Sequence, residues 1–164
     1  MKKYILQLFI FGIISQIPYY LFFGTKELNI YFTLLFGVFC MYTWDKVNNK
    51  FLKIIIIGLL IGFAGILHFD TGWYGVLSIF IFHVFKDNKK LMTLFYILIT
   101  FLNYLPSFII SNFYYPNILL FLYSLVPLLP ILLFNGEKGK DTKYLFYFFY
   151  PIHFVILYLI RIYL

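Results

Sequence analysis

Three places in this sequence carry side chains suited to chemistry. His68 and Asp70 lie two residues apart in a short polar stretch that continues through Thr71, Gly72, Trp73, Tyr74 and Gly75. A carboxylate near an imidazole orients the ring and stabilises its protonated form, the arrangement used for general-base work. Asp70 is equally well placed to cap a helix beginning at Trp73, and the Trp73–Tyr74 pair also suits an interfacial anchor. His153 follows Tyr150 and Pro151 in a long apolar run. The proline removes one helical hydrogen bond and frees a carbonyl nearby. The imidazole can then bridge helices as donor and acceptor, or act as a general base reached through a polar cleft. The third place is Asn135, Gly136, Glu137, Lys138, Gly139 and Lys140, ahead of Lys143. Glycines and lysines before a helix N-terminus can hold an anion such as a nucleotide phosphate, and the same residues also make a plain flexible turn.

Other chemistries lack their residues. Three isolated histidines, one cysteine and no His-x-x-x-His or Cys-x-x-Cys spacing give no ligand set, so no metal is expected. No nucleophile elbow, phosphate loop or dinucleotide fingerprint is present. His83, next to phenylalanine, reads as an interfacial residue. Asn29, at the start of an apolar run, is a candidate for either substrate contact or structure.

The elements that must position these residues follow from composition. Of 164 residues, 63% are hydrophobic and only 12% charged, against about 45–50% and about 25% in soluble domains. The mean hydropathy is +0.93. These values exclude a soluble domain, a disordered chain and a nucleic-acid-binding module, and leave an integral membrane protein with the lipid bilayer as its first partner. Cys40, alone in an apolar run, forms no intrachain bridge.

A spanning helix needs roughly 17–25 apolar residues. Charges and turn residues delimit seven candidates, at 4–23, 30–44, 51–69, 73–85, 91–110, 118–134 and 144–163. The second and fourth are short, and would thin the membrane locally or shelter among their neighbours. Alternating strands are absent, which argues against a β-barrel. The expected fold is all-α: a polytopic transmembrane bundle of about seven spans in a single membrane domain, 1–164. Placing the N-terminus in the cytoplasm puts eleven of the thirteen basic residues on the inner side, leaving Lys26 and Arg161 outside. That bias predicts the N-terminus inside and the C-terminus outside.

Three blocks then resemble the TraX family of membrane proteins, named for an enzyme that acetylates conjugative pilin. The first runs from Ser15, Gln16, Ile17, Pro18 and Tyr19 on to the stretch Leu28–Gly37. The second is Asp70, Thr71, Gly72, Trp73, Tyr74, Gly75, Val76 and Leu77. The third joins Asn135–Gly139 to Lys143, Tyr144 and the Tyr150, Pro151, Ile152, His153 run, which is the most specific. The resemblance implies an acetyltransferase of the bacterial inner membrane that uses acetyl-coenzyme A and acts on an amine of a pilin-like or other peptide. It gives Gly136, Lys138, Gly139, Lys140 and Lys143 a task at the phosphates of the acyl donor. It makes His153, with His68 and Asp70, the catalytic candidates, and Asn29, Tyr150 and Pro151 substrate-contacting or structural ones. The family pattern begins with about two further spans bearing an Asp-His pair. Their absence from this sequence leads to the expectation of a truncated frame or a partner that supplies those helices. A non-enzymatic assembly partner or transporter subunit is the alternative.

Overall fold

The computed structural model describes residues 2–111, 115–137 and 142–163, the side chains at 143 and 144 excepted. Among them the chain is helical throughout: α1 Lys2–Phe23, α2 Ile30–Lys46, α3 Lys50–Ile66, α4 Gly72–Val84, α5 Lys89–Ile110, α6 Tyr115–Leu125, α7 Leu128–Leu133 and α8 Lys143–Tyr163. Asparagines start three of these helices. Asn29, Asn49 and Asn88 accept hydrogen bonds from the backbone N–H of Tyr31, Leu52 and Leu91, satisfying donors that the first helical turn leaves open. The segment expected at 118–134 is two helices. Pro130 has no N–H to offer the Val126 carbonyl, and that carbonyl instead accepts from Leu129 N at 3.0 Å in the turn that separates α6 from α7.

Four stretches are long and apolar enough to cross a membrane: α1, α5, Tyr115–Leu133 and Leu145–Tyr163. Helices α2 and α3, at 17 residues each, extend about 25 Å, and α4 is a shorter apolar helix of 13 residues. Large apolar side chains cover the outside of these helices, among them Phe51, Ile110 and Leu133. A surface of that kind is stable only against lipid or protein.

The chain forms two compact units, Met1–Leu77 with Lys140–Leu164, and Ser78–Gly139. In the first, α1 and α8 run side by side in the same direction: Phe11 stacks on Tyr147 at 4.8 Å, Tyr19 meets Phe154, and Arg161 Nη1 donates to the Phe22 carbonyl at 2.7 Å. Helix α2 packs antiparallel to α1 around a core of Leu8, Tyr31, Leu35, Val38 and Tyr147. Gly12 permits the approach, since a Cβ there would lie 3.3 Å from the Phe32 ring and 3.4 Å from Tyr31 Cβ. Pro151 withholds the N–H that would bond the Tyr147 carbonyl, and the Tyr31 hydroxyl donates to that carbonyl at 3.0 Å. The proline thus creates an acceptor that ties α8 to α2.

The second unit is held by aromatic stacking and local hydrogen bonds. Phe85 stacks on Phe95 at 4.7 Å and Phe82 on Tyr96 at 5.1 Å. Tyr96 donates to the Ser124 carbonyl, and Tyr104 shares a 2.8 Å hydrogen bond with the Ser124 hydroxyl.

Candidate functional site

Gly24 caps the end of α1, its N–H donating to the Tyr20 carbonyl at 2.8 Å. The residues that follow, up to Asn29, turn back along the helix. Gly24, at φ +69°, makes the reversal, a conformation that glycine adopts without the steric cost a side chain adds. Gln16 Nε2 then donates to the Glu27 carbonyl at 2.8 Å, and Gln16 Oε1 accepts from both Asn29 N (3.1 Å) and Asn29 Nδ2 (2.9 Å). Asn29 Nδ2 also donates to the Gly12 carbonyl at 2.7 Å. Asn29 is fully buried, and its side chain is satisfied on every side. Helix α2 therefore starts level with Gly12, the middle of α1.

The loop between α3 and α4 reaches the same level. Leu28 N donates to the His68 carbonyl at 3.0 Å and Asp70 N to the Leu28 carbonyl at 2.7 Å, a single β-bridge that pairs Leu28 with Phe69. Thr71 Oγ1 donates to Thr33 Oγ1 at 3.3 Å. Gly75 has no room for a side chain: a Cβ would fall on Thr71 Oγ1 and lie 2.8 Å from Thr33 Cγ2.

At this meeting point the Tyr19 hydroxyl donates to Asp70 Oδ1 at 3.1 Å. The Tyr150 hydroxyl, from α8, accepts from Ile30 N at 3.4 Å, and its ring packs edge-on against Phe154, which also meets Tyr19. Burial pushes the Asp70 carboxyl above its ordinary value although the residue keeps exposed surface. The Glu27 carboxylate raises it further, and the hydrogen bond from Tyr19 partly offsets both. The result is a carboxylate with more affinity for a proton than a free one, held by one phenol and open to solvent on another side.

The sequence candidates fall into three groups. Asp70 and Tyr150 come together with Tyr19, which the sequence marks only as part of the first family-like block. Asp70 does not cap α4; its carboxylate takes the Tyr19 hydroxyl instead. His68 lies apart from this arrangement. Its backbone is left-handed, at φ +50°, its carbonyl makes the bridge to Leu28, and its exposed ring makes no hydrogen bond to Asp70. His153 stands one step removed on α8, its ring 4.0 Å from that of Phe154 and stacked on Phe149 at 5.3 Å. Its Nδ1 lies 3.1 Å from the Phe149 carbonyl. With the proton on Nδ1, Nε2 is an acceptor. Asn29 clamps α1 through Gly12 and Gln16, and Pro151 leaves free of helical bonding the Tyr147 carbonyl that Tyr31 takes.

The expected anion site falls in the second unit as far as Gly136; Lys138, Gly139 and Lys140 lie outside the described residues, and Lys143 is described only as the backbone that opens α8. Gly136 has φ +83° and follows Asn135, whose side chain accepts from Glu137 N at 3.0 Å. The turn borders a cavity of about 550 Å³ that is also lined by Phe82, Lys86, Lys89 and Ile131. Lys89 Nζ donates to the carbonyls of Leu132 (2.6 Å) and Phe134 (3.3 Å) at the end of α7. Lys86 and Lys89 were legible only as part of a basic loop, because nothing in the sequence links them to residue 136.

Comparison with known proteins gives one result. Residues 1–161, nearly the whole chain, match the family model described as TraX protein. No curated protein and no solved structure matches.

Proposed function

The chain belongs to the TraX family, and from that premise we propose that it is a membrane acetyltransferase moving the acetyl group of acetyl-coenzyme A onto an amine of a pilin-like or other peptide. The observation that carries this reading is the Tyr19–Asp70 pair at the level where three helix ends meet. An amine attacks only when neutral, so a base must take its proton. In the proposed step the amine nitrogen bonds to the thioester carbonyl carbon, its proton passes to the Asp70 carboxylate, and the carbon–sulfur bond breaks with its electron pair leaving on sulfur. Tyr19 holds Asp70 Oδ1 and leaves Oδ2 to the acceptor. His153, with Nε2 available, is the second acid–base group of the site.

The residues present fit the acyl donor. Lys86, Lys89 and the Gly136 turn offer cationic and backbone donors to phosphate beside an apolar wall, and Lys138, Lys140 and Lys143 add charge to the same segment. With the N-terminus in the cytoplasm and seven crossings of the bacterial inner membrane, the lysine-rich loops face the cytoplasmic supply of donor.

The test is acetyl transfer in lipid nanodiscs from acetyl-coenzyme A to a peptide with a free N-terminal amine, read by mass spectrometry. Wild type is expected to acetylate the peptide. Lys86→Ala with Lys89→Ala is expected to raise the KM for the donor more than it lowers kcat. A well-folded wild type that consumes no thioester contradicts the proposal and favours the assembly-partner alternative.

A further inference from the structure

A cavity of about 390 Å³ lies in the first unit between α1, α2 and α8, with Tyr4, Leu8, Leu34, Phe146 and Tyr150 in its walls. It has the size of a small-ligand site, and the make-up of one, apolar walls with few polar groups. Helices α1 and α8 run parallel beside it and start toward the same end on lysines, Lys2–Lys3 and Lys143. Tyr150 stands about 10 Å further along α8 than Lys143. Its hydroxyl accepts from Ile30 N at 3.4 Å, and among the described residues its own proton has no acceptor. Ile30 opens α2, and a helix N-terminus favours negative charge beside it. The Leu28 carbonyl, two residues earlier, takes Asp70 N. One backbone segment therefore holds both the Tyr150 hydroxyl and the proposed base.

The order along this groove is lysines at the helix starts, then an apolar wall, then a hydroxyl donor at depth. A phospholipid has the reverse order, with its carbonyls beside the headgroup and only hydrocarbon beyond. A thioester at the end of a long arm, with phosphates at the other end, has the matching one. We infer that the groove takes the arm of the acyl donor and that Tyr150 is a catalytic residue, its O–H donating to the thioester carbonyl oxygen. As the amine nitrogen bonds to the carbonyl carbon, the π pair of the C=O bond moves onto that oxygen, where a placed donor stabilises the charge. The pair returns as the carbon–sulfur bond breaks, and the proton of Tyr150 stays on Tyr150 throughout. The Ile30 N–H behind the phenol polarises it and strengthens it as a donor. This inference rests on the acetyl-transfer reading and adds to the base of that reading its electrophilic partner.

The test follows the carbonyl itself. Protein in nanodiscs is loaded with acetyl-coenzyme A isotopically labelled at the acetyl carbonyl carbon, without acceptor peptide, and the label's infrared band is recorded. The band is expected at lower frequency in wild type than in Tyr150→Phe, a difference that a packing role would not produce. Single-turnover acetylation by Tyr150→Phe is expected to fall about 10²–10³-fold with the donor Kd little changed. Leu34→Trp, which fills the groove, is expected to raise the donor Kd about tenfold. If Leu34→Trp does not fold, Tyr4→Trp on the same wall serves. If Tyr150→Phe does not fold, a fluorotyrosine in place of Tyr150 keeps the hydroxyl as a stronger donor and is expected to move the band further down. An unmoved band, or a wild-type rate in folded Tyr150→Phe, overturns the role of Tyr150 while acetyl transfer by the wild type still stands. An unchanged donor Kd in the filled groove overturns the placement of the arm. A folded wild type that neither binds the donor nor transfers acetyl overturns the acetyl-transfer reading, and this inference with it.

Discussion

The two units of the molecule treat their polar residues in opposite ways. In the second, hydroxyls mostly fold onto their own helix: Thr93 donates to the Lys89 carbonyl, Thr100 to Tyr96, Ser111 to Ser107 and Ser124 to Leu120, each four residues back. Such bonds satisfy a polar group locally and say little about the tertiary structure. In the first unit the polar groups reach across the chain. Gln16 and Asn29 join α1 to α2, Tyr31 joins α2 to α8, and Tyr19 meets Asp70 across 51 positions. Polar groups in an apolar setting are kept where they specify something. Here they set the level at which two loops return into the bundle, and that level carries the acidic side chain.

The largest test of this contrast is Asn29→Ala. It removes a helix cap, leaves the Gly12 carbonyl without its side-chain donor and takes one of the two donors from Gln16 Oε1, for an expected loss of about 3 kcal/mol, measured by unfolding in mixed detergent. Thr100→Val, in the second unit, is expected to cost under about 1 kcal/mol, because the Tyr96 carbonyl lies within α5. Equal losses would break the comparison. Next comes Gly75→Ala, expected to cost about 2 kcal/mol by crowding Thr71 and Thr33. Gly58→Ala, where a Cβ meets nothing within 4 Å, is expected to gain about 0.5 kcal/mol from helix propensity.

A smaller effect sharpens the account of Pro151. Tyr31→Phe is expected to cost about 1 kcal/mol by removing the hydroxyl that donates to the Tyr147 carbonyl. Adding Pro151→Ala supplies a backbone N–H at that position and should restore most of the loss; a double variant no more stable than Tyr31→Phe contradicts the pairing. The smallest change is His68→Gly. Relief of the left-handed backbone is expected to add about 0.5–1 kcal/mol, with acetyl transfer unchanged, and lost transfer would return His68 to the site.

Much of this architecture could be read from the residues. Helix limits came out within a few positions because lysines, asparagines and glycines punctuate apolar runs whose length the bilayer dictates. The division at Val126–Pro127 was not, since an apolar run with two prolines is compatible with one kinked helix or two. The return of residues 24–29 along α1 was also hidden. It depends on Gln16 and Asn29 finding each other, and sequence marks each only as a polar residue in need of some partner. The pairing of Asp70 with Tyr19 left still less trace. A tyrosine near the end of an apolar helix ordinarily signals an interface, and His68, two residues away, was the more obvious neighbour until the backbone turned at φ +50°.

The central claim is that proton transfer belongs to Asp70 at the level where the loops of the first unit meet. The measurement that tests it most directly is the single-turnover rate of peptide acetylation by Asp70→Asn and by Thr100→Val, each checked for unchanged unfolding. Asparagine can still accept the Tyr19 hydrogen bond but cannot take a proton, so the rate is expected to fall about 10²–10⁴-fold, while Thr100→Val stays near wild type. A correctly folded Asp70→Asn protein that acetylates at the wild-type rate would contradict the account.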